Sequence, residues 1–231
     1  MSALLRLFGR VVLIALIAFT LLQFWFFGCV WYWSVYNPHT TAFMRARMEH
    51  VHDEGGKATR RHQWVPYQRI SIHLKRAVIA AEDATFVDHD GFDWKGIRTA
   101  YERNLREGEV VAGGSTITQQ LAKNLFLSGD RTWWRKGQEA AITVMIELIM
   151  DKRRILEIYL NVIEWGELVF GAEAAARYHF GVPAAELSPE QAARLAAMVP
   201  HPRKYGPGQN TAYLQRRTGT LLARMNAARV P

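Results

Sequence analysis

The chain of 231 residues holds one cysteine, Cys29, so no internal disulfide can form. Because Cys29 lies inside an apolar stretch, cysteine usage does not report the redox compartment. Internal repeats and low-complexity tracts are lacking, which excludes solenoids and long compositionally biased linkers. Two-residue alternation of polar and apolar side chains is scarce, which argues against a sheet protein. Acidic side chains are in deficit: 21 Asp and Glu against 29 Lys and Arg leave a formal net charge of +8. That balance suits a polyanion, an anionic membrane surface or a phosphate-bearing substrate. Charge of either sign is missing altogether from Val11 to Tyr36.

What fills that charge-free run is apolar and aromatic, interrupted appreciably only by Thr20 and Gln23. A helix crossing the hydrocarbon core needs about 20 such residues. The run is too long for the apolar region of a cleaved signal, and no small-x-small cleavage site follows it. Trp31, Tyr32, Trp33 and Tyr36 crowd its end as an interfacial aromatic belt does, and Asn37-Pro38 stops the helix. The expectation is a cytoplasmic tail (1–10), one transmembrane helix (11–36), a polar connector (37–64) and a domain (65–231). Arg6 and Arg10 before the span are matched by Arg45 and Arg47 after it. The short tail still favours an inside N-terminus with the bulk of the chain exported. A membrane span also argues against nucleic acid as the basic chain's partner.

Beyond the connector, helical periodicity predominates. It predicts helices over 71–86 and 96–105, a loop over 106–114, and a helix opened by a capping box at Thr116-Ile117-Thr118-Gln119. Thr132 caps a long helix running to about Met150, and a further helix carries Ile155, Leu156, Tyr159, Leu160 and Ile163. Ser188-Pro189-Glu190-Gln191 starts another, which ends by Pro200, and 211–230 supplies the last. The fold class is all-α, as one domain or two closely packed lobes.

Three clusters carry chemistry. Glu82, Asp83, Asp88, His89, Asp90 and Asp93 fall within twelve residues, at the end of a helix whose apolar face holds Leu74, Val78 and Ala81. Such a set also fits a solvated loop. A carboxylate leaving an apolar helix at its C-terminal end is nevertheless placed for partial burial, which raises its pKa toward the range useful for proton transfer. In the second cluster, Gly113-Gly114 precedes a helix start, a natural anion site. It is followed by a ridge in which Gln119 and Lys123, and Gln120 and Asn124, are neighbours one turn apart. An ordinary solvated helix face competes with ligand recognition there. In the third, Arg135 and Lys136 lie one turn from Glu139, a pair of contacts worth only ~0.3–0.5 kcal/mol each if exposed. A partly buried Glu139 between two cations would stay ionised. Trp133 and Trp134 read as packing or membrane-interface residues.

Taken in order, these segments resemble the monofunctional peptidoglycan glycosyltransferases, the membrane-anchored family that polymerises lipid II. The family pattern Glu-Asp-x-x-Phe-x-x-His-x-Gly-x-Asp matches Glu82 to Asp93, and GSTITQQLAKNLFL matches Gly114 to Leu127. Arg-Lys-x-x-Glu matches Arg135, Lys136 and Glu139; Ile-Leu-Glu-x-Tyr-Leu-Asn matches Ile155 to Asn161. The stretch from Val169 to Ala176 resembles the monofunctional branch. The likeness runs over about residues 65–205. Its main departure is Glu167-Leu168, where relatives often have Asp-Gly, and only a local loop difference is expected there.

The resemblance implies a lysozyme-like, two-lobed helical domain on the periplasmic face of the bacterial inner membrane. It implies Glu82 as the base and Glu139 as a second catalytic glutamate that orients cations or a metal. Asp83, Phe86, His89, Ser115, Thr116, Gln119, Gln120, Lys123, Asn124, Arg135 and Lys136 would bind substrate. The partners implied are lipid II, the growing glycan and the bilayer, with division or wall-synthesis proteins left open and no nucleic acid. No cofactor is certain; a divalent cation, Mg or Mn, is left open. A membrane-anchored muramidase or lytic glycosidase, or a non-catalytic wall scaffold, are the rival readings. A hydrolase would release a neutral sugar hydroxyl and would not need cations beside its acid.

Overall fold

The computed structural model describes residues 2–56, 59–108, 114–127 and 132–231. Gly113 and most of the expected 106–114 loop lie outside the described residues. Among the described residues the fold is helical apart from three short strands.

Helix α1 (Ser2–Val35) is the charge-poor run with its flanks: 34 residues, and about 51 Å long at 1.5 Å per residue. It is long and apolar enough to span a membrane from Leu4 to Val35, and most of its side chains are exposed. Its C-terminal half packs on the rest of the protein. Phe19 meets Trp134 (5.8 Å between ring centroids), Phe26 meets Phe126 (5.2 Å), and Gln23 Nε2 donates to Gln138 Oε1 (3.2 Å). Its free carbonyls at Trp33 and Tyr36 accept from the Arg154 guanidinium, which closes the helix end. The segment expected as a connector is partly ordered, with α2 (Ala42–Asp53) capped by Thr41 and strand β1 (Arg61–His62).

Two helix groups make up the remainder. One joins α3 (Ile72–Glu82) to α9 (Pro189–Met198) and α10 (Ala212–Arg224). The other is built on α5 (Ile117–Phe126), packed against α6 (Trp133–Ile149), α7 (Lys152–Val162) and α2, with α1 against α6. Helix α4 (Trp94–Glu107) buries none of its residues, whereas α8 (Ala172–Phe180) is buried along most of its length. Strands β2 (Glu164–Gly166) and β3 (Val169–Phe170) form a hairpin, with β1 pairing in parallel on β3. In the turn, Leu168 takes φ +53° where glycine is the ordinary occupant, and Glu167 ion-pairs with Arg47 of α2. The departure at Glu167-Leu168 therefore stays local to one turn and one ion pair.

Local chemistry accounts for the helix starts. Thr116 with Gln119 and Ser188 with Gln191 form complete capping boxes, and Thr132 and Asp151 cap α6 and α7. The helix expected over 71–86 ends earlier, at Glu82. Asp83 takes extended backbone, and a short 3-10 turn follows at Phe86–Asp88. Carrying α3 onward would take Asp83 away from the N-terminus of α5, which it caps.

Candidate active site

Glu82 is the last residue of α3 and stands where the two helix groups meet. Its side chain is 12% exposed. Gln120 of α5 donates from Nε2 to Glu82 Oε2 (2.9 Å), while Arg217 of α10 places Nη2 4.0 Å from Oε1. Burial pushes the Glu82 carboxyl up from the ordinary carboxylate range. The Gln120 hydrogen bond, Arg217 and Lys123 oppose that rise, and the Asp83 charge adds to it. The result is a desolvated carboxylate held within a positive field.

Asp83 is buried and spends both oxygens inside the protein. Oδ1 accepts from His89 Nε2 (2.9 Å) and Oδ2 from the backbone N–H of Ile117 (3.0 Å), the first turn of α5. Gly91 lets the loop press on α6: its φ is +87°, and a Cβ there would sit 2.7 Å from Thr143 Cγ2. Its carbonyl accepts from Thr116 Oγ1 (2.7 Å). The acidic loop and the start of α5 thus form one hydrogen-bonded unit.

Beside this unit lies a cavity of about 220 Å³, lined by residues 80–84, Asp93, Gly96 and residues 114–116. Ser115 is exposed there. Thr116 and Gln119, both buried, exchange two hydrogen bonds in the capping box: Gln119 Oε1 accepts the Thr116 N–H, and Thr116 Oγ1 accepts the Gln119 N–H. Asn124 donates from Nδ2 to the Gln120 carbonyl (2.8 Å). Phe86 is wholly buried beneath the Lys152 ammonium, 4.7 Å from its ring, so it serves the core and cannot reach a substrate. Lys123 is exposed on α5, three residues beyond Gln120, and close enough for its charge to act on Glu82.

Arg135, Lys136 and Glu139 form their own cluster on the first turns of α6, outside the lining of that cavity. Glu139 is buried; it pairs with Lys136 and lies 3.8 Å from Arg135 Nη1. With both counter-ions cationic, Glu139 does not fit a divalent metal, and among the described residues no three His, Cys, Asp or Glu side chains converge as ligands. Arg217 and Tyr159 had no signal in the sequence that ties them to Glu82. Tyr159 is fully buried, and its hydroxyl donates to Gln120 Oε1 (2.8 Å).

The family model described as Transglycosylase matches residues 48–226. A biosynthetic peptidoglycan transglycosylase of Nitrosospira multiformis is 56% identical over 226 residues, 98% of each chain. The protein of that name in Methylobacillus flagellatus is 58% identical over 226 residues, covering 98% of this chain and 99% of its own. Its namesake in Herminiimonas arsenicoxydans is 54% identical over 231 residues and the full length of both chains.

Proposed function

This chain belongs to the transglycosylase family, and from that premise we propose that it polymerises lipid II into β-1,4-linked glycan and releases undecaprenyl pyrophosphate. The observation that carries the reading is Glu82: a desolvated carboxylate at the junction of two helix groups, gripped on one oxygen by Gln120 and facing Lys123 and Arg217.

The acceptor's GlcNAc 4-hydroxyl is a poor nucleophile and needs its proton removed as it attacks. Glu82, whose carboxyl burial pushes up from the ordinary carboxylate range, takes that proton. The hydroxyl oxygen bonds to the donor's anomeric carbon from the face opposite the leaving group. The α-bond to pyrophosphate breaks, its electron pair leaves on the phosphate, and the configuration inverts to β. Negative charge then grows on the leaving group, where preorganised cations have their largest effect. Lys123 meets that charge first. Arg135 and Lys136, set by Glu139, continue the positive track, and Arg135 has the forked geometry to hold phosphate oxygens in pairs. Ser115 and the backbone of residues 114–116 line the sugar-binding side of the cavity.

We place the domain 65–231 on the periplasmic face of the inner membrane, tethered by α1 with its short tail in the cytoplasm. The test is purified full-length protein incubated with labelled lipid II. Polymer growth is expected, and Glu82→Gln should abolish it while leaving lipid II binding nearly intact. Fragmentation of preformed glycan without polymer would establish a hydrolase instead, and full activity in Glu82→Gln would remove Glu82 as the base.

A further inference from the structure

We propose that Tyr159 is a positioning residue: it fixes the Gln120 amide so that Glu82 Oε2 is held and Oε1 is the oxygen that receives the acceptor's proton. The proposal deepens the transferase reading and rests on it for its kinetic consequences. Three side chains from three helices are linked in series. Tyr159 Oη of α7 donates to Gln120 Oε1 of α5 at 2.8 Å, and Gln120 Nε2 donates to Glu82 Oε2 of α3 at 2.9 Å.

An amide has one accepting end and one donating end. An ionised carboxylate only accepts, so the nitrogen must face Glu82. That leaves the amide oxygen pointing at Tyr159, whose phenol sits at 0% exposure. Burial and the nearby Glu82 and Asp83 charges hold the phenol neutral and therefore able to donate.

The hydroxyl matters most once the base has taken its proton. A protonated Glu82 could turn and donate to Gln120 Oε1, which would send the new proton into the protein and away from the groove. For that the amide would have to rotate, and rotation breaks the bond that Tyr159 donates to Oε1. Gln120 therefore keeps donating to Oε2, and the proton stays on Oε1, the oxygen nearer Arg217. Tyr159 touches no substrate in this scheme; it acts through Gln120. It belongs to the segment Ile155–Asn161, to which the rest of the mechanism assigns no task.

The test compares full-length wild type, Tyr159→Phe, Gln120→Ala and the double variant in lipid II turnover across pH. Tyr159→Phe should lower kcat roughly tenfold, the factor that follows from losing one buried hydrogen bond, with KM within about twofold. Its acid limb should move to higher pH, because the Gln120 bond that pulls the Glu82 pKa down is weakened. Gln120→Ala leaves the buried ring in place and should move the limb the same way; the double variant should be no worse than Gln120→Ala alone. Wild-type kcat and an unmoved limb in Tyr159→Phe would overturn the proposal, as would losses that multiply in the double variant. Carboxyl titration by difference infrared, with Glu82→Gln as the blank, should show the same upward shift in Tyr159→Phe without any substrate. That readout separates failure of this proposal from failure of the transferase reading, for which wild type would leave lipid II unpolymerised.

Discussion

Asp83 Oδ2 accepts the backbone N–H of Ile117 at 3.0 Å, so the residue beside the base also caps the helix that carries Gln120 and Lys123. One carboxylate ties the end of α3 to the start of α5 and sets the distance between Glu82 and the side chains of α5. Replacing it should cost both stability and rate. Asp83→Ala should destabilise the protein by about 2–3 kcal/mol, the sum of a lost charged cap and a buried His89 stripped of its partner. Thermal unfolding checks the first effect, and lipid II turnover should fall at least tenfold.

Burial of Glu82 carries a stability cost with a definite pH dependence. Glu82 binds its proton more tightly folded than unfolded, because burial holds its pKa above the ordinary value. Protonation therefore favours the fold at low pH, and that contribution is lost as pH rises through the folded value. Glu82→Gln should accordingly be more stable than wild type at pH 7–8, on the order of 1 kcal/mol or roughly 2–4 °C in Tm. The gap should close near pH 4. Activity runs the other way, rising with pH through the same titration, and Tm measured at the two pH values decides the matter.

Lys123→Ala should weaken binding of the donor pyrophosphate by roughly 10- to 100-fold, the scale of one charge-assisted hydrogen bond. Binding of phosphoglycolipid inhibitors should weaken with it. Titration with labelled donor at two salt concentrations tests this, and the variant should also lose part of the salt dependence.

Gln23 and Gln138 make a polar contact between the membrane helix and α6. Either Gln23→Leu or Gln138→Leu leaves one amide without its partner and should destabilise by about 0.6–1.5 kcal/mol. Replacing both at once should cost less than the two singles together, because no orphaned amide remains. Unfolding in detergent micelles measures the difference.

Leu168 combines a left-handed backbone with a buried side chain, 1% exposed. Leu168→Gly relieves about 1 kcal/mol of backbone strain but removes a core side chain worth about 2–5 kcal/mol. The variant should therefore be less stable, even though glycine suits the turn better.

Much of this architecture was legible from local chemistry. Thr116, Thr132 and Ser188 were readable as helix starts because a cap and its partner lie within three residues, and Asn37-Pro38 marks the end of α1 for a similar reason. The partial burial of Glu82 could be read from its place at the end of an apolar helix. Arg217 could not, because it meets Glu82 from 135 residues away through tertiary packing alone; Tyr159 lies in a matching segment, but its link to Glu82 through Gln120 is likewise tertiary. Phe86 is expected to touch substrate because it sits in a matching segment, yet it is wholly buried. Spacing along a chain does not distinguish a side chain that faces the groove from one that builds the groove's wall. The early end of α3 was equally hidden, since Asp83 leaves the helix to serve a partner that is local only in space.

Because α1 is braced on α5 and α6 through Phe19, Gln23 and Phe26, it works as a strut and not as a leash. The Glu82 carboxylate is thereby kept at a fixed distance from the apolar helix. On the proposed reading, a lipid-linked substrate would have to meet Glu82 at that fixed level, because the strut does not let the domain rise to follow it.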